Sequence, residues 1–176
     1  MAGAGKIGHI IRSMARFYRT ILNNGKNSIR VADELANARS YIDIQLALHE
    51  NGFAVEYDLG ARVNDYYMIN IILQPIIENA LEHGIGKRRD NDGMLILRAG
   101  FKDGGLSLIV EDNGPGMDAE TAARVLTSES GGYGIKNVQD RLTFMFGAPY
   151  GLTIITAPGA GTRVYVSLPP LTAPVD

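Results

Sequence analysis

The sequence lacks cysteine altogether and has three histidines among its 176 residues. The absence of cysteine excludes disulfides, thiolate metal sites and a cysteine nucleophile, and it is consistent with a reducing compartment. The histidines, His9, His49 and His83, are too far apart for a metal-binding motif. No apolar run approaches the ~18 residues needed to span a bilayer, so we expect no membrane span in this chain.

Several common enzyme signatures are missing as well. There is no Gly-Lys-Ser/Thr phosphate loop and no Gly-x-Ser-x-Gly nucleophile elbow. Residues 3–8 match the pattern Gly-x-Gly-x-x-Gly, but no predicted strand precedes them. Since the dinucleotide-binding motif follows a strand, this match does not indicate such a site.

Acidic residues are absent from residues 1–32, which carry six Lys or Arg residues within an overall net charge of −2. Such a segment is typical of transit peptides and of nucleic-acid-binding arms. Phe17 and Tyr18 are the aromatic residues interleaved with these bases, and they form no extended stacking platform. We therefore expect a helix with a solvated basic face and no nucleic-acid partner.

The composition is otherwise that of a globular protein, with 45% apolar and 20% charged residues. Apolar periodicity predicts helices over residues 7–22, 32–50, 65–83, 118–126 and 135–146. Alternation predicts strands over residues 53–59, 94–101, 106–112, 152–157 and 162–168. In the third helix we expect Asn64 as the N-cap and Pro75 in the interior. We predict an α+β fold, a two-layer sandwich of helices on a mixed, mostly antiparallel sheet, preceded by N-terminal helices.

One predicted strand ends in a carboxylate and continues into the motif Asp112-Asn113-Gly114-Pro115-Gly116-Met117. Alternation places Asp112 on the same face as three apolar residues of the strand, so it points into the interior. A buried carboxylate is costly unless a donor reaches it, and the two glycines let the backbone approach a flat ligand closely. An amino-purine offers such a donor, and a structural Asp-Asn-Gly turn is the alternative.

The long predicted helix carries Asn79 and His83 on one face, with Glu82 beside them. Asn is a poor helix former and an interior proline removes a hydrogen bond, and such departures from local preference cluster at functional sites. An amide oxygen is a suitable hard ligand for Mg²⁺. A helix with a polar exposed face is the alternative interpretation.

Two further glycine motifs are weak when each is taken alone. The segment Gly131-Gly132-Tyr133-Gly134-Ile135 opens a predicted helix, where free amide groups suit a phosphate chain. The segment Gly161-Thr162 lies in the last predicted hairpin and by itself indicates a turn.

Taken in order, four of these motifs resemble the N, G1, G2 and G3 boxes of the ATP-binding fold that gyrase, Hsp90, MutL and histidine kinases share. They are Glu78-Asn79, Asp112-x-Gly114-x-Gly116, Gly132-x-Gly134 and Gly161-Thr162. Within that superfamily, the segments LQPIIENALEHGI, GGYGIKNVQDRL and ANARSYIDIQ are similar to segments of the YesM/LytS-type bacterial sensor histidine kinases. The resemblance covers about residues 10–169. It implies a Bergerat-type fold with ATP and Mg²⁺ as cofactors.

The resemblance also implies roles for individual residues. Asp112 would accept from the adenine amine with support from Thr162, and Asn79 would be the metal ligand. Glu78 would orient or deprotonate the acceptor histidine, so Glu78 and Asn79 are the expected catalytic residues. The expected nucleotide-binding residues are Asn79, His83, Asp112, Gly114, Gly116, Met117, Gly132, Tyr133, Gly134, Ile135 and Thr162.

The implied domain organisation has three parts. Residues 1–50 would be the C-terminal part of the dimerisation helices plus a linker helix, residues 51–170 the catalytic domain, and residues 171–176 a tail. Because the family's acceptor motif His-Phe-Leu-Phe-Asn is absent, we expect the chain to begin after the phosphoacceptor and not to autophosphorylate alone. The expected partners are the dimerisation domain, a response regulator, and a second copy in a weak dimer through the N-terminal helix. The full-length protein would be anchored in the bacterial membrane, with this domain in the cytoplasm.

Three positions depart from the family pattern. Glu82 stands where relatives often have Lys, and Leu48 where they have Arg. Pro75 stands where ATPase relatives have a catalytic Glu, so fast activation of water is not expected. An anti-sigma-type serine kinase and a non-catalytic nucleotide-sensing module remain open as alternatives. The coiled-coil spacing over residues 7–21 disfavours the first, and the presence of both Asn79 and Asp112 disfavours the second.

Overall fold

The structure is a computed structural model that describes residues 27–49, 52–88, 92–127 and 133–175. The predicted helix over 7–22 lies outside these ranges, and so does most of the predicted loop over 128–134. The strands are β1 (Ser28–Arg30), β2 (Phe53–Leu59), β3 (Tyr67–Ile69), β4 (Gly93–Lys102), β5 (Gly105–Asp112), β6 (Gly151–Thr156) and β7 (Thr162–Leu168). The helices are α1 (Val31–Leu48), α2 (Leu73–Asn79), α3 (Ala119–Thr127) and α4 (Tyr133–Phe146).

Five strands form one sheet in the order β2-β4-β5-β7-β6. Strand β2 runs parallel to β4, and the other three pairings are antiparallel. The predicted mixed, mostly antiparallel sheet is thus confirmed, together with both predicted hairpins. Strands β1 and β3 form a separate antiparallel pair beside it.

One face of the sheet is buried under the helices. Residues alternate between buried and partly exposed along β4 and β5, so that Leu97 and Leu108 face inward with their alternate neighbours. Ile42 of α1, Ile77 of α2 and Leu142 of α4 belong to the same apolar cluster. The two-layer α+β sandwich is confirmed, and burial on this face brings α2 against the end of β5.

The prediction of a continuous helix over residues 65–83 is wrong in its first half. Asn64 lies within a 3₁₀ turn over Ala61–Asp65 and caps no α-helix, and the next residues form β3. Helix α2 begins at Leu73, so Pro75 lies in its first turn, where its missing amide costs no helical hydrogen bond. The cause is tertiary, because β3 pairs with β1, and helical periodicity carries no information about that pairing.

The segment after β7 packs along the small β1–β3 pair. The Tyr67 amide donates to the Leu171 carbonyl at 2.8 Å. The Ser28 hydroxyl donates to the Val175 carbonyl at 2.8 Å and accepts from the Val175 amide at 3.0 Å. The predicted tail is therefore hydrogen-bonded to the start of the described chain. Within the described residues, every helix is too short or too polar to cross a bilayer.

Candidate functional site

A cavity of about 450 Å³ lies between α2 and the inner face of the sheet, with α3 and the start of α4 forming its other walls. Its walls are largely apolar, with Ile76 and Val110 on opposite sides. The structure brings seven of the predicted site residues to this cavity, namely Asn79, His83, Asp112, Gly116, Met117, Ile135 and Thr162. An apolar cleft with a few convergent polar groups is typical of a small-molecule site.

Asp112 provides the buried charge of the cavity. It is the last residue of β5, its side chain is on the inner face as predicted, and it is 6% exposed. The Gly114 amide donates to its Oδ1 at 2.8 Å. Burial raises the pKa of Asp112 to about 6, although the Gly114 and Thr162 amides act in the opposite direction. The carboxylate therefore retains capacity for a further donor, because an ionised carboxylate has about four acceptor sites.

Two glycines allow the backbone to close around Asp112. Gly84 ends a π-helical turn, Ala80–Gly84, that continues α2, and a Cβ on Gly84 would lie 2.4 Å from Asp112 Oδ1. A Cβ on Gly114 would lie 2.4 Å from the Gly84 Cα. A π-helical turn is rare and often marks a functional site. Gly116 adopts φ +64°, and a Cβ there would lie 2.0 Å from the Ala157 carbonyl oxygen.

Asn79 is the last residue of α2 and faces the cavity. Its Nδ2 donates to the Pro75 carbonyl at 2.9 Å, so the amide is oriented by its own helix. Within the described residues, Asn79 Oδ1 has no hydrogen-bond partner, and no group of three His, Asp or Glu residues could hold a metal there. An oriented amide oxygen fits Mg²⁺, which uses few protein ligands and completes its shell with water and phosphate oxygens.

Threonines of β6 and β7 hold the chain that follows Asp112. The Thr156 hydroxyl accepts from the Met117 amide at 3.0 Å and donates to the Gly161 carbonyl at 2.8 Å. Thr162 Oγ1 is 3.3 Å from Thr156 Oγ1. The Thr162 amide therefore interacts with the Asp112 carboxylate, and the Thr162 hydroxyl lies next to that of Thr156.

Two other predicted site residues that the structure describes, Glu78 and Gly134, do not line the cavity. The Glu78 carboxylate accepts from Gln74 Nε2 at 2.7 Å. Burial, and to a smaller extent the charges of Glu78 and Glu82, raise the pKa of Tyr41 to about 12. Because Tyr41 belongs to α1, Glu78 lies on the side of α2 that faces α1. Gly134 lies against Pro75, where a Cβ would be 3.1 Å from the proline Cβ. Gly132 is outside the described residues, and Tyr133 is described by its backbone as the first residue of α4.

Several residues at the site were not predicted. Gly84 was present in the quoted helix motif, but its role depends on a contact across the fold. Thr156 lies in a strand that carries no motif. Thr121 and Arg124 of α3 line the cavity, and Arg124 Nη2 donates to Thr121 Oγ1 at 3.3 Å. Their spacing of three residues on a helix could have indicated a shared face.

Residues 64–172 match the family model described as histidine kinase-, DNA gyrase B- and HSP90-like ATPase. The chain belongs to this family. The match covers α2, β4 to β7 and the whole cavity. The predicted family is therefore confirmed.

Named members with similar sequences are bacterial sensor proteins. The chain is 29% identical over 165 residues to the sensor histidine kinase YesM of Bacillus subtilis. It is 28% identical over 170 residues to the sensor protein LytS of Staphylococcus epidermidis. Each alignment covers 93% of this chain and 28% of the relative, so the chain spans less than a third of the length of these relatives.

Solved structures share the fold at lower sequence identity. The histidine kinase domain of the Erythrobacter litoralis EL346 blue-light activated kinase matches with a TM-score of 0.55 at 17% identity, over 96% of this chain and 81% of that one. The catalytic domain of the histidine kinase ThkA matches with a TM-score of 0.60 at 12% identity, over 84% of this chain and 99% of that one. These matches establish the ATPase fold of the family.

Proposed function

We propose that this chain is the ATP-binding catalytic region of a two-component sensor histidine kinase. The observation that carries the proposal is the buried Asp112 carboxylate, which lines a largely apolar cavity. This cavity lies within the part of the chain that matches the ATPase family. The similarity to YesM and LytS over 93% of the chain selects the sensor kinases within that family. Pro75 stands where ATPase relatives have their catalytic Glu, which favours a kinase over a rapid ATPase.

Adenine recognition is assigned to Asp112. Its carboxylate is desolvated and has acceptor sites beyond the Gly114 amide, which suits the exocyclic amine of adenine. A hydrogen bond to an ionised acceptor is about twice as strong as a neutral one. Gly84 and Gly114 keep the backbone close to this carboxylate, and Gly84 and Gly116 line the cavity in which a flat base would lie.

The phosphate side of the site is assigned to Asn79 and the start of α4. Asn79 Oδ1 would hold Mg²⁺, which supplies neutralisation of the phosphate charge when it is bound. The amides at the start of α4, which begins within the Gly132-x-Gly134 motif, suit phosphate oxygens. His83 also lines the cavity.

Phosphoryl transfer is proposed to go from ATP to a histidine nitrogen on a dimerisation domain, and then to an aspartate of a response regulator. Glu78 is the proposed group that orients or deprotonates the acceptor histidine. Its place outside the cavity, on the side of α1, is suited to a residue that meets a second domain. The domain limits at residues 50 and 170, the weak dimer through the N-terminal helix and the membrane anchor of the full-length protein remain predictions.

A transfer assay to a separate protein tests this function. The chain is mixed with ATP, Mg²⁺ and the dimerisation domain of a YesM-type kinase that carries its acceptor histidine. We expect acid-labile phosphohistidine on the added domain. Acid-stable phosphoserine on an added anti-sigma-factor antagonist would instead identify a serine kinase, and ATP binding without any transfer would identify a nucleotide sensor.

A further inference from the structure

Glu34 is a buried carboxylate that has no role in the site described above. It lies in the first turn of α1 and is 3% exposed. Among the described residues, Asp112 is the other acidic residue that is buried. Burying a charged side chain costs several kcal/mol unless donors compensate it, so its partners identify what it does.

The partners of Glu34 are three successive backbone amides at the start of α2. Its Oε1 accepts from the Ile72 amide at 2.7 Å and from the Leu73 amide at 2.9 Å. Its Oε2 accepts from the Ile71 amide at 3.2 Å. Helix α2 has no side-chain cap of its own, so a residue of another helix satisfies the amides that a helix start leaves unpaired.

The backbone that Glu34 holds is strained. Ile71 adopts φ +56°, which is a costly conformation for a β-branched residue. Strain of this kind persists where the surroundings impose it, and it is common at functional sites. The carboxylate of Glu34, which binds the amides of Ile71 and of the two residues after it, is such a constraint.

Three helices meet at the turn formed by residues 70–73, which precedes and begins α2. Arg141 of α4 donates from Nη2 to Asn70 Oδ1 at 2.8 Å, next to the amides that Glu34 binds. Burial raises the pKa of Glu34, while the three amides and, to a smaller extent, the Arg141 charge lower it. The turn therefore connects α1, the helix that carries Asn79, and the helix that starts at the glycine-rich segment.

We propose that Glu34 is a positioning residue for the nucleotide site, because its carboxylate fixes the start of α2 and thereby the places of Asn79 and Gly84. This inference rests on the proposed ATP site. The geometry is direct, since α2 runs from the amides bound by Glu34 to Asn79 and then into the turn that brings Gly84 against Asp112.

The test uses Glu34→Gln in the full chain, with Ser40→Ala as the matched control. Gln keeps the size of Glu but presents an N–H₂ group to at least one of the three amides. Ser40 is also buried on α1, and its hydroxyl donates to Ala36 of the same helix at 2.9 Å. Titration calorimetry with Mg-ATP measures the affinity, and circular dichroism verifies the fold of each variant.

We expect the affinity of Glu34→Gln to fall by about tenfold or more, while Ser40→Ala binds as the wild type does. A merely structural role would lower the melting temperature of Glu34→Gln and leave its affinity unchanged, which would overturn the inference. If the wild-type chain itself fails to bind, the proposed function is wrong and the inference falls with it.

A second measurement needs no variant and applies if Glu34→Gln does not fold. Saturating Mg-ATP should slow hydrogen exchange of the Ile72 and Leu73 amides in the wild-type chain more than that of the Val166 amide in the sheet. Global stabilisation alone slows all three equally. Equal slowing would overturn the inference.

Discussion

The carboxylate of Asp112 lies against the Cα of Gly84, so closely that a Cβ on residue 84 would be 2.4 Å from Oδ1. This contact joins the end of β5, the central strand of the sheet, to the π-helical turn that continues the helix carrying Asn79. It forms part of the cavity wall, because both residues line the cavity. The shape of the proposed ATP site therefore depends on the absence of a side chain at one position.

Gly84→Ala should displace Asp112 and weaken ATP binding by about tenfold or more, since the methyl group cannot be accommodated beside a buried carboxylate. Gly100→Ala is the matched control, because a Cβ at residue 100 meets no atom within 4 Å. Calorimetric titration with ATP measures both variants. Equal affinities of the two variants would show that the contact does not shape the site.

Asp112→Asn should change the pH dependence of stability. The pKa of Asp112 is about 6 in the folded chain, against an ordinary value of 3.8. The protonated carboxyl therefore contributes stability to the folded chain that is fully present at pH values below 3.8. That contribution is lost as the pH rises through about 6, a loss on the order of 3 kcal/mol. The free energy of unfolding of Asp112→Asn, measured with urea, should therefore rise relative to wild type between about pH 4 and pH 7. Parallel profiles would contradict the raised pKa.

Asn79→Ala should remove the dependence of ATP affinity on Mg²⁺, because the amide oxygen is the proposed protein ligand of the cation. Affinity for Mg-ATP should fall by roughly tenfold, whereas affinity for adenosine should not change. Asn64→Ala, at an exposed position of the 3₁₀ turn, is the control. A variant that keeps the full effect of Mg²⁺ would exclude Asn79 as the ligand.

Glu78→Gln should separate transfer from binding. Since Glu78 does not line the cavity, its ATP affinity should equal that of the wild type. The rate of phosphate transfer to an added dimerisation domain should fall by about 100-fold, as expected for loss of a general base. Glu82→Gln, four residues further along the chain, should retain the rate. Loss of ATP affinity in Glu78→Gln would assign it to the nucleotide site instead.

The sheet and the cavity could be predicted from local patterns. Strand β2 has the bounds that alternation predicts, because one face of the strand packs inward while the other meets solvent. Asp112 could be placed on the inner face for the same reason, and it is buried there. The order of the glycine motifs then predicted the family.

The start of α2 could not be predicted in this way. It is set by Glu34, whose bonded amides are 37 to 39 residues further along the chain, and by the pairing of β3 with β1. Helical periodicity continued through this region and predicted one longer helix. The contact between Gly84 and Asp112 could not be predicted either, because it depends on the π-helical turn that follows α2.

Calorimetric titration of the wild-type chain with Mg-ATP, beside Asp112→Ala verified as folded by circular dichroism, tests the central claim most directly. We expect saturable binding with one site in the wild type and its loss in Asp112→Ala. Absence of binding by the folded wild-type chain, or equal binding by both proteins, would contradict the assignment of this cavity as the ATP site.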